Sequence, residues 1–234
     1  MSLLMATLQI VAIIAAATTG NVVVVVQGVE VGNFVTPAFF NGIINQAAAT
    51  CPGKTFYTRD SFFAALRSYP QFGKTGVADN SKREIAAFFA HVTHETGFLC
   101  HITENQATRA NSNYYCDPSF TRYPCARGKQ YYGRGPLQLS WNYNYGAAGK
   151  ANGFDGLNAP DTVAQNNVVS FKVALWFWKT TVRPVLNQGF GATIKAINSG
   201  ECNSGNSGAV QARIRYYRDY CKKFGVSPGG NLSC

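Results

Sequence analysis

The chain has 234 residues, 46% of them hydrophobic and 14% charged, and its 21 basic and 11 acidic side chains give a net charge of +10. This composition excludes an intrinsically disordered chain, and the length suits one domain behind a targeting segment. The basic residues are scattered, with no group denser than the pairs Lys82-Arg83 and Lys222-Lys223 and no nucleic-acid motif around them. The charge therefore reads as solubility with weak attraction to anionic surfaces, and no nucleic-acid partner is expected.

The apolar stretch "LLMATLQIVAIIAAATTG" followed by "NVVVVVQG" reads as a signal peptide over residues 1–28, with cleavage between Ala17 and Gly32. Its n-region is atypical, because no Lys or Arg occurs before Lys54, and a membrane anchor is the alternative. No later stretch is long and apolar enough to span a membrane, so a secreted, extracellular protein free of the membrane after processing is expected. Seven cysteines suit that compartment, and their odd number leaves at least one outside any internal pair. Cys221 is the choice for the free thiol, because it falls inside an amphipathic helical pattern where it acts as a small buried hydrophobe.

Residues 34–234 read as one domain, in which helical patterns dominate. "TPAFFNGIINQAAA" opens with Thr36 as N-cap and Pro37 in the first turn. "RDSFFAALRSY" repeats apolar residues at helical spacing. "SKREIAAFFAHVTHETG" carries Ser81 and Glu84 as a capping box and Gly97 as a stop. The middle, 101–140, is rich in Gly, Pro, Asn and Tyr and reads as long loops with a small β-hairpin near "QYYGRGPLQLS"; long loops in a compact domain usually carry function. "NVVSFKVALWFWKTT" is apolar nearly all round, a central buried helix whose Val-rich start also fits a strand. "GAVQARIRYYRDYCKKFG" ends in basic residues and Gly225, as a helix C-terminus does.

The segment "FFAHVTHETGFLCHITENQ" holds all three histidines and two acids nine positions apart, Glu95 and Glu104. Ile85, Phe88, Val92 and Glu95 share one helix face, so Glu95 sits on a core-facing stripe in the last turn. Desolvation and the negative end of the helix dipole both favour its protonated form, the state a general acid needs. Glu104 lies past the glycine stop in what reads as a polar, hydrated loop, where a carboxylate stays ionised and can act as a base. Two carboxylates in contrasting environments form the pattern of glycoside hydrolysis, although a structural Glu paired with an Arg is the commoner case on position alone. The histidines follow H-x-x-H-E rather than H-E-x-x-H, and no further Cys/His set completes a zinc pattern, so no metal and no cofactor is expected. His91 then packs at the helix and His94 positions a group near Glu95.

Several motifs, in order, resemble plant-type family 19 chitinases. "CPGKTFYTRDSFFAALRSYPQFG" resembles one family signature, "FFAHVTHETG" the helix bearing the catalytic acid, "YYGRGPLQLSWNYNYG" the substrate cleft, "SFKVALWFWK" the second signature and "INSGEC" a later acidic motif. The resemblance extends from Phe34 to Cys234 and implies a mainly α, bilobal, lysozyme-like helical domain. It implies a secreted endochitinase that hydrolyses β-1,4 linkages between N-acetylglucosamine units with inversion, acting as a monomer on chitin and its oligomers in defence against fungi.

Residue by residue, the resemblance makes Glu95 the general acid, Glu104 the general base and Ser140 the group that helps hold the attacking water. Arg213 and Glu201 match partners in a charge network with the acid, Arg213 lowering its pKa and Glu201 softening that effect, while His94 lines the site. Gln138, Tyr143, Asn144 and Asn198 match sugar-contacting positions. An inverting pair needs carboxyls roughly 6.5–9.5 Å apart or more, which a helix-end and a loop acid can provide. The resemblance also implies bridges Cys51–Cys100, Cys116–Cys125 and Cys202–Cys234.

No Cys-rich binding module is read before the domain and the cleft loops read as short, which resembles the compact class IV members and implies fewer sugar subsites; no vacuolar extension is read after Cys234, so simple secretion is expected. Asn231-Leu-Ser is a glycosylation sequon that its place near the C-terminus argues against. A non-catalytic glycan-binding relative and a muramidase acting on peptidoglycan are the alternatives. The presence of both acids favours the enzyme, and fold analogy alone does not separate the substrates.

Overall fold

A computed structural model describes residues 29–105, 115–204 and 208–234; the segment read as a signal peptide, 1–28, lies outside the described residues. Helix α1 (Pro37–Ile44) starts where Thr36 Oγ1 accepts a hydrogen bond from Phe39 N at 3.1 Å. The short α2 (Gly53–Phe56) leads into α3 (Arg59–Leu66), which does open with a reciprocal capping box between Thr58 and Ser61.

Helix α4 (Ala78–Thr96) is the central element, and its start corrects the sequence reading. It begins at Val77, whose carbonyl already accepts from Ser81 N at 3.0 Å, so Ser81 and Glu84 form no capping box. Ser81 Oγ instead accepts from Thr75 N at 3.1 Å. Glu84 turns inward, accepts from Gly73 N (3.0 Å) and Trp178 Nε1 (3.1 Å), and pairs ionically with Arg183 Nε at 3.1 Å. A capping-box acid must stay near the first turn to reach the N-cap amide, whereas this one is spent on tying α4 to two other segments.

Gly97 ends α4 in the left-handed region, and Phe98 and Leu99 follow at φ +65° and +63°. Thr96 holds this reversal, its Oγ1 donating to Val92 O at 2.6 Å and accepting from Leu99 N at 2.7 Å. The Cys51–Cys100 disulfide closes it from the other side. Gly53 allows that closure, because a Cβ there would lie 2.0 Å from Leu99 O.

Beyond the loops come α5 (Asn142–Asn152), α6 (Thr162–Gln165), α7 (Asn167–Phe177), a π turn at Trp178–Val182, α8 (Phe190–Ile197) and α9 (Gly208–Lys223). The Val-rich start of α7 is helical: Asn166 Oδ1 accepts from Val168 N and Val169 N and fixes the first turn. Helix α5 was not foreseen, since Asn, Gly and Tyr fill it without an apolar stripe; it forms where Gly149 and Gly156 let the chain pack closely. The β-hairpin expected near 130–140 is reduced to isolated antiparallel bridges, Arg134 with Leu139 and Thr103 with Arg134. Its physical limit is Pro136 and two glycines in so short a span, which leave little ladder to pair.

The fold is mainly helical, with two apolar clusters. The larger surrounds α4, where Phe62, Phe88, Phe89, Phe171 and Trp178 pack edge to face, and α4 packs most extensively on α9. The smaller gathers Tyr131, Leu139, Tyr145, Val163 and Val173. Disulfides also join Cys116 to Cys125 and Cys202 to Cys234, and Cys221 is a buried free thiol. Among the described residues no helix is long and apolar enough to cross a membrane.

Candidate active site

A cleft of about 590 Å³ is lined by residues of both clusters, Leu137 of the larger and Leu139 of the smaller among them. One wall comes from the end of α4 with Glu95, from Phe177 at the end of α7, and from Ile197 and Asn198 at the end of α8. The other comes from Glu104 and Asn105, Tyr115, and the segment Leu137–Trp141 with Asn144. The protein also has a larger cavity, about 750 Å³, but the single acid lining it is Glu84, whose oxygens are already engaged. Of these two, among the described residues, the smaller cleft is the one lined by two carboxylates, Glu95 and Glu104.

Glu95 stands at the head of a charge network. Arg213, fully buried on α9, donates from Nη2 to Glu95 Oε1, and from Nε and Nη2 to Glu201 Oε2 and Oε1, both at 2.8 Å. Its Nη1 faces His91 Nδ1 at 3.1 Å, and His91 Nε2 faces Thr193 Oγ1 at 2.9 Å. Burial pushes the Glu95 carboxyl up; Arg213 pulls it down by charge and hydrogen bond, Glu201 pushes it up again, and the net shift is upward. Burial also works against the Glu201 carboxylate, but its two bonds to Arg213 and that cation's charge prevail and hold it below its ordinary value. His94 lies 3.8 Å from Glu201 and is driven down to about 4, chiefly by burial and then by Arg213, so it is neutral at pH 7.

Glu104 is positioned by a different logic. The reversal at 97–99 turns the chain back along 133–135, where Glu104 N donates to Gly133 O at 2.9 Å and Gly135 N to Ile102 O at 2.8 Å. Glu104 Oε2 accepts from Tyr115 Oη at 2.9 Å and from Gly133 N at 3.1 Å. Its Oε1 is enclosed and accepts no hydrogen bond from the described residues. The expectation of a hydrated loop around Glu104 is thus narrowed: among the described residues Tyr115 and the 133–135 turn hold Oε2, and Oε1 has no donor. Arg134 anchors that turn, its buried guanidinium bonding Tyr145 Oη, Tyr132 O and Asp161.

Ser140, Gln138, Asn144 and Asn198 all line the cleft. Gln138 adopts φ +47° and donates to Gly135 O at 2.9 Å, Ser140 Oγ donates to Gln138 O at 3.1 Å, and Asn144 Nδ2 donates to Ser140 O at 2.9 Å. Asn198 Nδ2 donates to Glu201 Oε1 at 3.1 Å, which links the cleft wall to the charge network. Tyr143 does not line this cleft; it stacks on Phe120 at 4.1 Å, with Trp141 parallel at 6.2 Å. Tyr115, Gly133 and Trp141 are site residues the sequence reading missed. Trp141 falls inside the quoted cleft motif, whereas nothing local marks Tyr115 as the partner of an acid eleven residues earlier. Among the described residues no group of three or more His, Cys, Asp or Glu side chains is placed to hold a metal ion.

A mainly helical fold with one cleft lined by a desolvated acid and a second carboxylate is the arrangement of a glycoside hydrolase. The chitinase class I family model, glycoside hydrolase family 19, matches residues 34–188 and 183–234. The chain is 60% identical to Endochitinase EP3 of Arabidopsis thaliana over 209 residues, 89% of this chain and 76% of that protein. It is 62% identical to Chitinase 4 of Oryza sativa subsp. japonica over 208 residues, 88% and 72% of the respective chains. The crystal structure of the family GH19, class IV chitinase from Zea mays superimposes with a TM-score of 0.82 at 55% identity, covering 86% of this chain and 98% of that one. The chain belongs to glycoside hydrolase family 19.

Proposed function

We propose that this protein is an endochitinase that cleaves β-1,4 linkages between N-acetylglucosamine units of chitin by inverting acid/base hydrolysis. The observation that carries the mechanism is the unequal sharing of Arg213. One guanidinium neutralises one carboxylate; Glu201 takes it at two points, so Glu95, desolvated and held by a single nitrogen, is the acid that keeps a proton. With Oε1 bonded to Arg213, Oε2 of Glu95 delivers that proton to the leaving glycosidic oxygen. Glu104, which lines the same cleft, takes a proton from the attacking water, while Tyr115 and Gly133 fix its Oε2. Ser140 assists in holding that water, and Gln138, Asn144 and Asn198 contact the acetamido sugars. Tyr143 contributes at the rim, through the aromatic group it forms with Trp141 and Phe120. The names of the relatives, endochitinase and chitinase, support chitin as the substrate. Secretion through residues 1–28 and action as a monomer against fungal walls complete the reading.

The test is hydrolysis of N-acetylglucosamine oligomers with anomer analysis of the first products, in parallel with peptidoglycan. The expected products are α-anomers from chitin oligomers, with Glu95→Gln reducing turnover by about 10²–10⁴-fold at unchanged fold. β-Anomers, turnover of peptidoglycan alone, or near-native turnover by the Gln variant would each overturn it.

A further inference from the structure

His91 is one turn before Glu95 on α4 and touches no part of the cleft, yet both of its ring nitrogens are engaged. It is fully buried, stacked on Phe190 at 4.8 Å with a 16° angle between planes, and flanked by Trp178. Arg213 Nη1 can only donate, so His91 Nδ1 must be the acceptor and carries no proton. The ring proton is then on Nε2 and is donated to Thr193 Oγ1, which in turn donates to Phe190 O at 2.6 Å. The tautomer is fixed by this directional chain, and burial with the nearby Arg213 and His94 keeps the ring neutral.

We propose that His91, set in its Nε2-protonated tautomer by Thr193, is a positioning residue for the hydrolytic reaction: it holds the back edge of the Arg213 guanidinium and so limits the pull of that cation on Glu95. The inference rests on the assignment of Glu95 as the proton donor. Of the acceptors on Arg213, Glu95 and Glu201 are carboxylates and His91 is neutral. A buried guanidinium N–H that loses its acceptor is costly, and the nearest remaining acceptors are the two carboxylates. Without the imidazole, Arg213 is drawn toward them, and Glu95 gives up its proton at a lower pH. The groups facing this network are Arg213 from α9, Glu201 and Thr193 from the α8 region, and His94 and Glu95 from α4 itself.

The test compares the full chain with His91→Leu, His91→Gln and Thr193→Val. Gln presents an acceptor to Arg213 and a donor to Thr193, as the neutral imidazole does; Leu presents neither. Rates on N-acetylglucosamine oligomers are measured across pH, beside the carboxyl ¹³C titration of Glu95 and the imidazole ¹⁵N shifts of His91. Expected for His91→Leu is a fall of about ten- to a hundredfold in kcat at neutral pH, smaller at acid pH, with KM within about twofold and the alkaline limb moved to lower pH. Gln should restore most of the lost kcat and the pH limb, and Thr193→Val should fall between. The proposal is overturned if His91→Leu loses stability but keeps the wild-type pH profile and Glu95 titration, if Gln is as impaired as Leu, or if the wild-type ring carries its proton on Nδ1. An inactive wild type would count against the endochitinase reading, and the Glu95 titration in His91→Leu would still decide this one.

Discussion

Arg213 and Glu201 form a two-point ion pair, Nε and Nη2 each 2.8 Å from a different carboxylate oxygen. This pair occupies the cation that would otherwise ionise Glu95. Glu201→Gln removes the competing anion and leaves Arg213 to Glu95 alone. The alkaline limb of the kcat/KM profile should move to lower pH by about one unit or more, as expected for a carboxyl gaining an undivided cation. The sign for stability is opposite for the two acids. Glu95, raised in the fold, contributes stability at low pH that is lost as pH rises through its folded value; Glu201, lowered, contributes stability at neutral pH that is lost as pH falls through its own. A pH–rate profile of Glu201→Gln that superimposes on wild type would refute the division of roles.

Tyr115→Phe tests how Glu104 is held. Burial first, then the bond to and charge of Glu104, push the Tyr115 hydroxyl up to about 12, so it remains a donor throughout the working range. Losing one hydrogen bond to a charged group costs about 1.5–3 kcal/mol, which corresponds to a ten- to hundredfold loss in kcat/KM if Glu104 acts through that geometry. Gly133→Ala should be at least as damaging, because its Cβ would sit 3.0 Å from both Glu104 Oε2 and Gln138 Oε1. Circular dichroism and steady-state kinetics on both variants check this, and unchanged kcat/KM in both would count against Glu104 as the base.

Glu84 separates two physical readings by magnitude. A capping-box acid is worth about 1 kcal/mol. The buried Glu84 satisfies Trp178 Nε1, Gly73 N and Arg183, and truncating one partner of such a set costs about 3–5 kcal/mol. Glu84→Ala should therefore lower the urea midpoint steeply while kcat per folded molecule stays at the wild-type value, since the residue is remote from the cleft. A loss near 1 kcal/mol would restore the capping reading.

Most helices were legible because each carries a local signal: Thr36 and Pro37 at a start, Gly97 and Gly225 at ends, apolar spacing between. Glu84 was misread because a four-residue motif cannot say which way a side chain turns once Trp178 and Arg183, about a hundred residues on, compete for it. Helix α5 was missed because its stability comes from packing rather than from a stripe. At the site, Glu95 was readable from its own helix face. The enclosure of Glu104 was not, since Tyr115 and Gly133 reach it only through the reversal at 97–99, where Phe98 and Leu99 occupy a backbone region that their side chains give no hint of.

That reversal supplies the last prediction. Left-handed conformations cost roughly 1–2 kcal/mol per non-glycine residue, and Phe98 and Leu99 adopt them in succession directly after the helix that carries Glu95. Thr96 holds the turn from within, and the Cys51–Cys100 bridge holds it from outside. With the two cysteines 49 positions apart, the chain-entropy model puts the bridge at about 4 kcal/mol. Cys51→Ser with Cys100→Ser should lower stability by about that amount, and should also lower kcat under conditions where the variant is fully folded, because relaxation of 98–99 shifts Glu104 against Gly133. Glu84→Ala, which loses stability away from the cleft, is the control. Thermal melts and kcat at a temperature well below both transitions distinguish the effects. If the disulfide variant and Glu84→Ala both lose stability and neither loses kcat, Thr96 alone sets the turn and the disulfide has no part in placing the base.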